Sequence, residues 1–567
     1  MNWKLKKKYK SLLEQERGYV KKVWGTYNTV CLAFPNYYRT GMANLGFQTV
    51  YKIINEQPSF LCERIFLPAA GDDAEFTTGA AGMVSLESQK SITEFDILAF
   101  SLSFENDYPH ILTMLAAAGI PLLTKDRTEE YPLIIGGGIA VTLNPEPLTD
   151  FFDLFILGEA EVALPQFTRS FEEARRLGQK RPALLKELQK KIPGVYVPGL
   201  YEVKYGADSK IEAYVPREAG LPQKIKINSI KDINSCRTEE VISAKQIEMG
   251  DMYLTEVNRG CARSCRFCAA SFVYRPARFR SVEEVIASID RGLAKKKKIG
   301  LVGTAVSDHP ELIAICEYIL DQNGQVGIGS LRIDQINEKI VDLIKAGGVE
   351  TVALAPEAGS QKMRDVLRKD ITEEEILRAV ELLIDKEILS LRLYFMVGLP
   401  GEEDQDIDAI IDLTKKIQQH ALLKACVKRK FRRITLSVNQ FIPKAHTPLQ
   451  WCALADVGET GRKIKKIVSA FARDKQIHVI HDVPKWNYVQ ALLSLGDRRA
   501  GEILLAVHRL DGNWVKAFKE VNINPDDYVY RQKTFDEILP WDIVDLGTSK
   551  KSLISECNKA QALSTCW

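Results

Sequence analysis

Tyr253-Leu-Thr-Glu-Val-Asn258-Arg-Gly-Cys261-Ala-Arg-Ser-Cys265-Arg-Phe-Cys268 runs a strand-like alternation straight into a loop that carries three cysteines. Spacings of four and three residues let three thiolates of one loop converge on adjacent corners of a cubane, holding three irons and leaving the fourth open to another ligand. A structural zinc ion takes four protein ligands, and no fourth Cys or His lies nearby in the sequence. Three free thiols in one short loop are the other reading. A chemically loaded loop that follows a first strand is the position of a barrel mouth.

Strand and helix patterns alternate downstream of this loop. Ser281-Val-Glu-Glu284 opens a helix with a capping-box pattern, and IGLVGTAV (299–306), VGIGSLRI (326–333), VETVALAP (349–356), SLRLYFMVGLP (390–400) and RITLSVNQFI (433–442) read as apolar strands. A second box, Thr372-Glu-Glu-Glu375, opens another of the intervening helices. Six such strand-helix steps fit a partial (β/α)6 barrel over 251–448. After Thr447-Pro448 the pattern is mostly helical to about 520, so 449–567 reads as a mostly helical C-terminal region.

Upstream, YNTVCLAFPN (27–36), LCERIFLP (61–68), DILAFSLSF (96–104), PLIIGGG (132–138) and DLFILG (153–158) are short apolar runs interleaved with helical patterns. Near-continuous apolar strands separated by helices mean a parallel sheet covered on both faces. Residues 21–200 therefore read as a doubly wound α/β domain with its ligand crevice at the C-terminal strand ends, preceded by a basic segment, 1–20. Residues 201–250 read as a connector with a hairpin at LYEVKYG and KIEAYVP.

A chain of 567 residues at about 150 per domain accommodates about three or four domains. Its 46% hydrophobic and 27% charged residues argue against disorder, collagen-like repeats and a membrane protein. The net charge of +3 announces no nucleic acid, so any basic site must be local. The basic start lacks the apolar core of a signal peptide, and no run of about 18 apolar residues occurs. Eleven cysteines in so long a chain are not a disulfide framework, which leads to the expectation of a cytoplasmic, reducing setting.

The triplet, with the aromatic Phe267 before its last cysteine, resembles the C-x3-C-x2-C signature of the radical S-adenosylmethionine (SAM) superfamily. The resemblance implies a [4Fe-4S] cluster on Cys261, Cys265 and Cys268, with SAM chelating the open iron and an external electron donor of flavodoxin or ferredoxin type. It also implies SAM contacts at Phe267, Arg332, Glu357, Ser360 and Gly398. Glu357 and Ser360 read equally as solvated loop residues, and Gly398-Leu-Pro-Gly401 equally as a plain tight turn. The superfamily's GGE motif is absent where Asp308 stands.

A doubly wound domain ahead of such a barrel resembles the cobalamin-binding subclass, as does nearly the full length, including Arg275-Pro-Ala-Arg278-Phe-Arg280, Ile442-Pro-Lys-Ala-His-Thr-Pro448 and Leu539-Pro-Trp-Asp542. In the cobalamin fold D-x-H-x-x-G follows the first strand; here Asn36-Tyr-Tyr38-Arg-Thr-Gly41 keeps the glycine and replaces the acid and the cobalt-ligating His. The resemblance implies cobalamin contacts at Tyr38, Gly41, Ser101, Ser103, Gly137 and Gly138, with Gly158-Glu-Ala-Glu161 after the fifth strand. A phenol is a poor cobalt ligand at neutral pH, so Tyr38 either packs beside a ring or fills the crevice in place of one.

The implied activity is reductive SAM cleavage to a 5′-deoxyadenosyl radical serving methyl transfer through cobalamin to an unactivated carbon. A cobalamin-free radical enzyme (rearrangement, oxidation or sulfur insertion) and a non-catalytic redox sensor or scaffold are the rivals. No catalytic residue is assigned. Lys295–Lys298 and KACVKRKFRR (424–433) read as solvated faces or as a contact to RNA or a ribosomal substrate. Cys557 and Cys566 read as free thiols, and His446 as a loop residue.

Overall fold

The apolar runs of the first half form six strands: β1 (Asn28–Tyr37), β2 (Phe60–Leu67), β3 (Ile97–Ser101), β4 (Leu133–Gly137), β5 (Leu154–Ile156) and β6 (Val195–Tyr196). The computed structural model describes residues 3–68, 83–329, 331–425 and 431–564. The sheet order is β2-β1-β3-β4-β5-β6, parallel except for β6. Helices Leu45–Glu56 and Ala160–Arg176 pack one face through Phe47, Ile54, Leu164 and Phe167, and helix Tyr108–Ala117 packs the other through Ile111 and Leu115. Burial on both faces explains the continuous apolar strands. The order reverses direction between β1 and β3, which opens a crevice at the strand ends there.

A hairpin, β7 (Tyr201–Tyr205) with β8 (Ile211–Pro216), leads into the connector, whose β9 (Ile225–Lys226) pairs with β18 (Val544–Asp545) near the other end of the chain. The second half folds as two parallel half-barrels. In one, β10 (Met252–Arg259), β12 (Lys298–Gly303) and β13 (Gln325–Ile328) lie in that order with the short antiparallel β11 (Arg278–Phe279) outside β10; in the other, β14 (Thr351–Glu357), β15 (Ser390–Val397), β16 (Arg433–Gln440) and β17 (Ile477–His481) follow one another. Helices cover the outer faces, with Leu391, Leu393, Ile434, Leu436, Ile410 and Ile467 in one shared core. The two expected N-caps are made: Ser281 accepts from Glu284 N–H at 3.4 Å, and Thr372 and Glu375 form a reciprocal capping box.

The mostly helical reading after 448 did not single out β17, the last strand of the second half-barrel. Its five residues, Ile-His-Val-Ile-His, put Ile477 and Val479 on the core side and His478 and Ile480 on the other, so the polar and apolar residues do not alternate cleanly and the run is too short to stand out.

The two domains are locked mouth to mouth by buried charges. Arg259, at the end of β10, meets Glu161 at 2.7 Å, Glu256 at 2.9 Å and Glu159 at 3.5 Å. Arg278 meets Glu159 and Arg280 meets Glu256, both at 2.6 Å. Three guanidiniums thus face three carboxylates, two of them from the Gly158–Glu161 segment that leaves β5. Burial opposes ionisation of Glu256, but Arg259 and Arg280 outweigh it and hold its pKa below the ordinary carboxylate value.

Removing one member of such a set strands an opposite charge, so Arg278→Ala should destabilise the protein by about 3–5 kcal/mol in urea denaturation. The double replacement Arg278→Met with Glu159→Gln should recover part of that loss.

Candidate active site

The cysteine loop is held by its backbone geometry and by hydrogen bonds to other parts of the chain. Gly260 has φ +82°, and a Cβ there would overlap the Tyr274 carbonyl, so only glycine turns the chain from β10 into the loop. Its N–H donates to Thr304 Oγ1 at 3.2 Å, tying the loop to the end of β12. Arg266, buried between two of the cysteines, donates to the Asp365 and Val366 carbonyls at 2.8 and 2.9 Å and meets Glu556 of the C-terminal helix Lys550–Gln561 at 3.2 Å.

Cys261, Cys265 and Cys268 all line one cavity of about 1020 Å³. Among the described residues no trio of His, Cys, Asp or Glu sits close enough to hold a single metal ion. Three thiols of one loop, with no fourth donor, suit a cubane, which spreads its thiolates over separate irons. Burial pushes the Cys265 thiol up to about 11, with Lys369 and Arg332 pulling the other way, so loading a metal there must expel a proton.

Phe267, Arg332 and Glu357 line the same cavity. Lys369 Nζ holds Glu357 Oε1 at 3.1 Å, and Glu357 sits in left-handed backbone, φ 68°. Arg332 is held by Asp334 at 3.0 Å, and Arg263 binds Asp308 through two nitrogens, each at 3.1 Å, and Asp334 at 3.2 Å. Asp308 is thus taken up by an arginine of the cysteine loop.

Two expected contacts are not brought to this cavity. Ser360 caps helix Gln361–Val366, accepting from Met363 N–H, and donates to Asp406 at 2.6 Å. Gly398, φ +75°, makes a turn whose N–H donates to the buried Glu402 at 2.8 Å. Neither is among the lining residues.

A second cavity, about 700 Å³, lies between the N-terminal sheet and its helices and opens toward the cysteine loop. Val30, Leu32, Ile97, Ile135, Leu164 and Phe167 make its deep wall apolar; Ser101, Ser103, Gly137 and Gly138 stand at its strand-end rim. The two cavities share Asn44, Leu45, Gly46, Cys268, Val302, Gly303 and Thr304. Two buried polar atoms in the second cavity's wall, Asn258 Oδ1 and Thr49 Oγ1, have no hydrogen-bond partner in the protein.

Tyr38 and Gly41 are not among its lining residues. The Tyr38 hydroxyl donates to Glu16 at 2.6 Å and its ring packs edge-on against Phe66; Glu16 in turn binds the fully buried Arg64 at 2.6 Å. A Cβ on Gly41 would overlap Phe66 and Phe34. Both residues serve the core of the first domain.

Lys369, Asn258, Thr304 and the charge clamp were not picked out from the sequence. Asn258 and Arg259 sat in plain view beside Cys261, but their partners lie far away in the chain. Within the basic runs Lys296 pairs with Glu240, Lys298 with Asp251, Lys424 with Asp385 and Arg432 with Glu350; residues 426–430 lie outside the described residues, as does Cys566. Cys557 is buried on the C-terminal helix. No helix among the described residues is long and apolar enough to cross a membrane.

His446 lines neither cavity. Its Nε2 is buried without a partner, and burial lowers its pKa to about 3. The unfolded chain takes up that proton near the ordinary value of about 6.5 and the folded one does not, so this group favours folding above about pH 6.5 and opposes it increasingly toward pH 3. Urea denaturation of a His446→Gln variant should show a shallower loss of stability between pH 6.5 and 4 than the parent.

Residues 46–198 match the family described as radical SAM proteins, N-terminal, and residues 255–414 match the radical SAM superfamily. An uncharacterised protein of Methanocaldococcus jannaschii is 29% identical over 430 residues, covering 75% of this chain and 83% of that one. The anaerobic magnesium-protoporphyrin IX monomethyl ester cyclase of Rubrivivax gelatinosus is 29% identical over 26% of this chain and 28% of its own. The fold is that of the radical SAM methyltransferase TsrM of Kitasatospora setae, solved with cobalamin and a [4Fe-4S] cluster: TM-score 0.51 at 12% identity, covering 94% of this chain and 100% of that one. With this fold, these two domain matches and a C-x3-C-x2-C loop at the mouth of the barrel, the chain belongs to the radical SAM superfamily and is an enzyme of that class, whose cofactors are a [4Fe-4S] cluster and S-adenosylmethionine.

Proposed function

We propose that Cys261, Cys265 and Cys268 hold the cluster, that SAM occupies the 1020 Å³ cavity beside them, and that the 700 Å³ cavity holds a corrinoid for methyl transfer to an unactivated carbon. The observation that carries this reading is the shared wall: Asn44–Gly46 from the first domain, and Cys268 with Val302–Thr304 from the second, border both cavities. Group transfer between two cofactors requires such adjacency. The corrinoid fits the deep apolar wall and the small residues, Gly137, Gly138, Ser101 and Ser103, at the strand-end rim. The Kitasatospora protein of the same fold binds the same pair of cofactors.

When bound, the cluster supplies the electron that splits the sulfonium of SAM and the corrinoid supplies a cobalt that carries methyl; binding, orientation and exclusion of water fall to the protein. Lys369 neutralises one oxygen of Glu357, leaving the carboxylate's other oxygen free to accept from a ribose hydroxyl. Arg332, its guanidinium fixed by Asp334, presents positive charge toward a carboxylate. Phe267 closes the apolar side of the cavity. The arginine-carboxylate clamp keeps the two mouths in register. An external one-electron donor supplies the reductant.

Anaerobic reconstitution with iron and sulfide, followed by SAM and a reductant, should yield both 5′-deoxyadenosine and S-adenosylhomocysteine by mass analysis. Deoxyadenosine alone would leave the cobalamin-free radical enzyme, and neither product would leave the scaffold. Cys265→Ala should reduce deoxyadenosine to background, and Glu357→Ala should weaken SAM binding about tenfold, the worth of one charge-assisted hydrogen bond. Full deoxyadenosine production by the cysteine variant would refute the ligand assignment.

A further inference from the structure

The inner face of a closed barrel is a packed core of branched apolar residues. The second half-barrel departs from that rule. Its outward positions, Leu391, Leu393, Ile434 and Leu436, are buried under helices, while the alternate positions of the same strands are Arg392, Tyr394, Thr435 and Ser437. Period-two alternation sets these polar residues on the opposite, inward face.

The strand register aligns them. Ala353 of β14 pairs with Arg392 of β15, Arg392 with Thr435 of β16, and Thr435 with His478 of β17. This row crosses all four strands at one level, with Arg392 and His478 about 10 Å apart across two strand spacings. It continues the face of β14 on which Thr351 and Ala355, flanking Ala353, line the cavity of the three cysteines; Arg392, Thr435 and His478 lie beyond that lining, on the adjoining strands.

Arg392 is exposed although it stands in the middle of an interior strand, and neither it nor His478 has an ion pair or hydrogen bond among the described residues. Arg332 and Lys369, at the neighbouring site, are each held by a carboxylate. The inward positions of β15, β16 and β17 include no Asp or Glu. A guanidinium left open toward a lumen, with a hydroxyl and an imidazole in the same row, is a donor set without its acceptor.

We propose that Arg392, Thr435 and His478 form the binding site for an oxyanion, carboxylate or phosphate, carried by the substrate. Arg392 supplies a two-pronged donor, Thr435 Oγ1 a short donor between the strands, and His478 a ring N–H on the far side. The site anchors the substrate by a remote group and leaves its reacting carbon free to reach the cavity of the cysteine loop. The assignment rests on the reading of that loop as the active site.

The test uses the reconstituted full-length protein and two probes, pyrophosphate and citrate, titrated calorimetrically at low salt. Saturable binding of one probe is expected, about tenfold weaker in Arg392→Gln and several-fold weaker in His478→Gln, as loss of a charge-assisted contact implies. Preference for pyrophosphate identifies a phosphorylated substrate, and preference for citrate a carboxylated one. Both replaced side chains are exposed, and circular dichroism checks that the variants fold. Failure of both probes to bind, or binding that Arg392→Gln leaves unchanged, overturns the proposal. A protein that cleaves SAM but binds neither probe overturns this inference alone; one that binds a probe but does not cleave SAM overturns the preceding reading and leaves the anion site standing.

Discussion

Everything functional in this chain depends on the buried contact of three arginines, Arg259, Arg278 and Arg280, with three carboxylates, Glu159, Glu161 and Glu256. Taking six charges out of water is costly, and it is tolerable only because each has an opposite neighbour at hydrogen-bond distance. Such a set gives little net stability compared with apolar packing. What it gives is direction: the planar guanidinium fork accepts carboxylates in few orientations, so the segment leaving β5 can dock on β10 in one way. That docking turns the strand ends of one sheet toward the strand ends of the other.

The consequence is a pair of cavities of opposite character with a wall in common. The one between the N-terminal sheet and its helices is deep and apolar, with two unsatisfied polar atoms in its lining. The one in the barrel is ringed by charges that satisfy one another, Lys369 with Glu357 and Arg332 with Asp334, around three thiols on one loop. Cys268 and the backbone from Val302 to Thr304 stand between them. Beside them, β15 to β17 carry a polar inward row in which Arg392 and His478 are exposed.

Much of this was legible in the sequence because it is local. The cysteine spacing lies within eight residues, the doubly wound order follows from apolar runs buried on both faces, and the Thr372–Glu375 box reports its own helix end. What escaped is long-range or short. For Tyr38 the sequence left two places, beside a ring or filling its crevice; what holds it is Glu16, 22 residues away and itself bound to Arg64, 48 residues away, and neither partner is marked in the sequence. Ser360 and Gly398 make a helix cap and a turn, with Asp406 and Glu402 as partners 46 and 4 residues away, and stand outside the lining of the cysteine cavity. Strand β17 is five residues long, and Arg392 gains its meaning only from a register that pairs it with Thr435.

The central claim, that the interdomain cavity takes a corrinoid facing the cysteine loop, is tested most directly by titrating the cluster-loaded protein with hydroxocobalamin and recording its visible spectrum. The Tyr38 hydroxyl is engaged by Glu16, and among the described residues no histidine lines the cavity. The account therefore predicts stoichiometric binding with a spectrum that lacks imidazole ligation to cobalt. Absence of binding, or a spectrum of histidine-ligated cobalt, would contradict it.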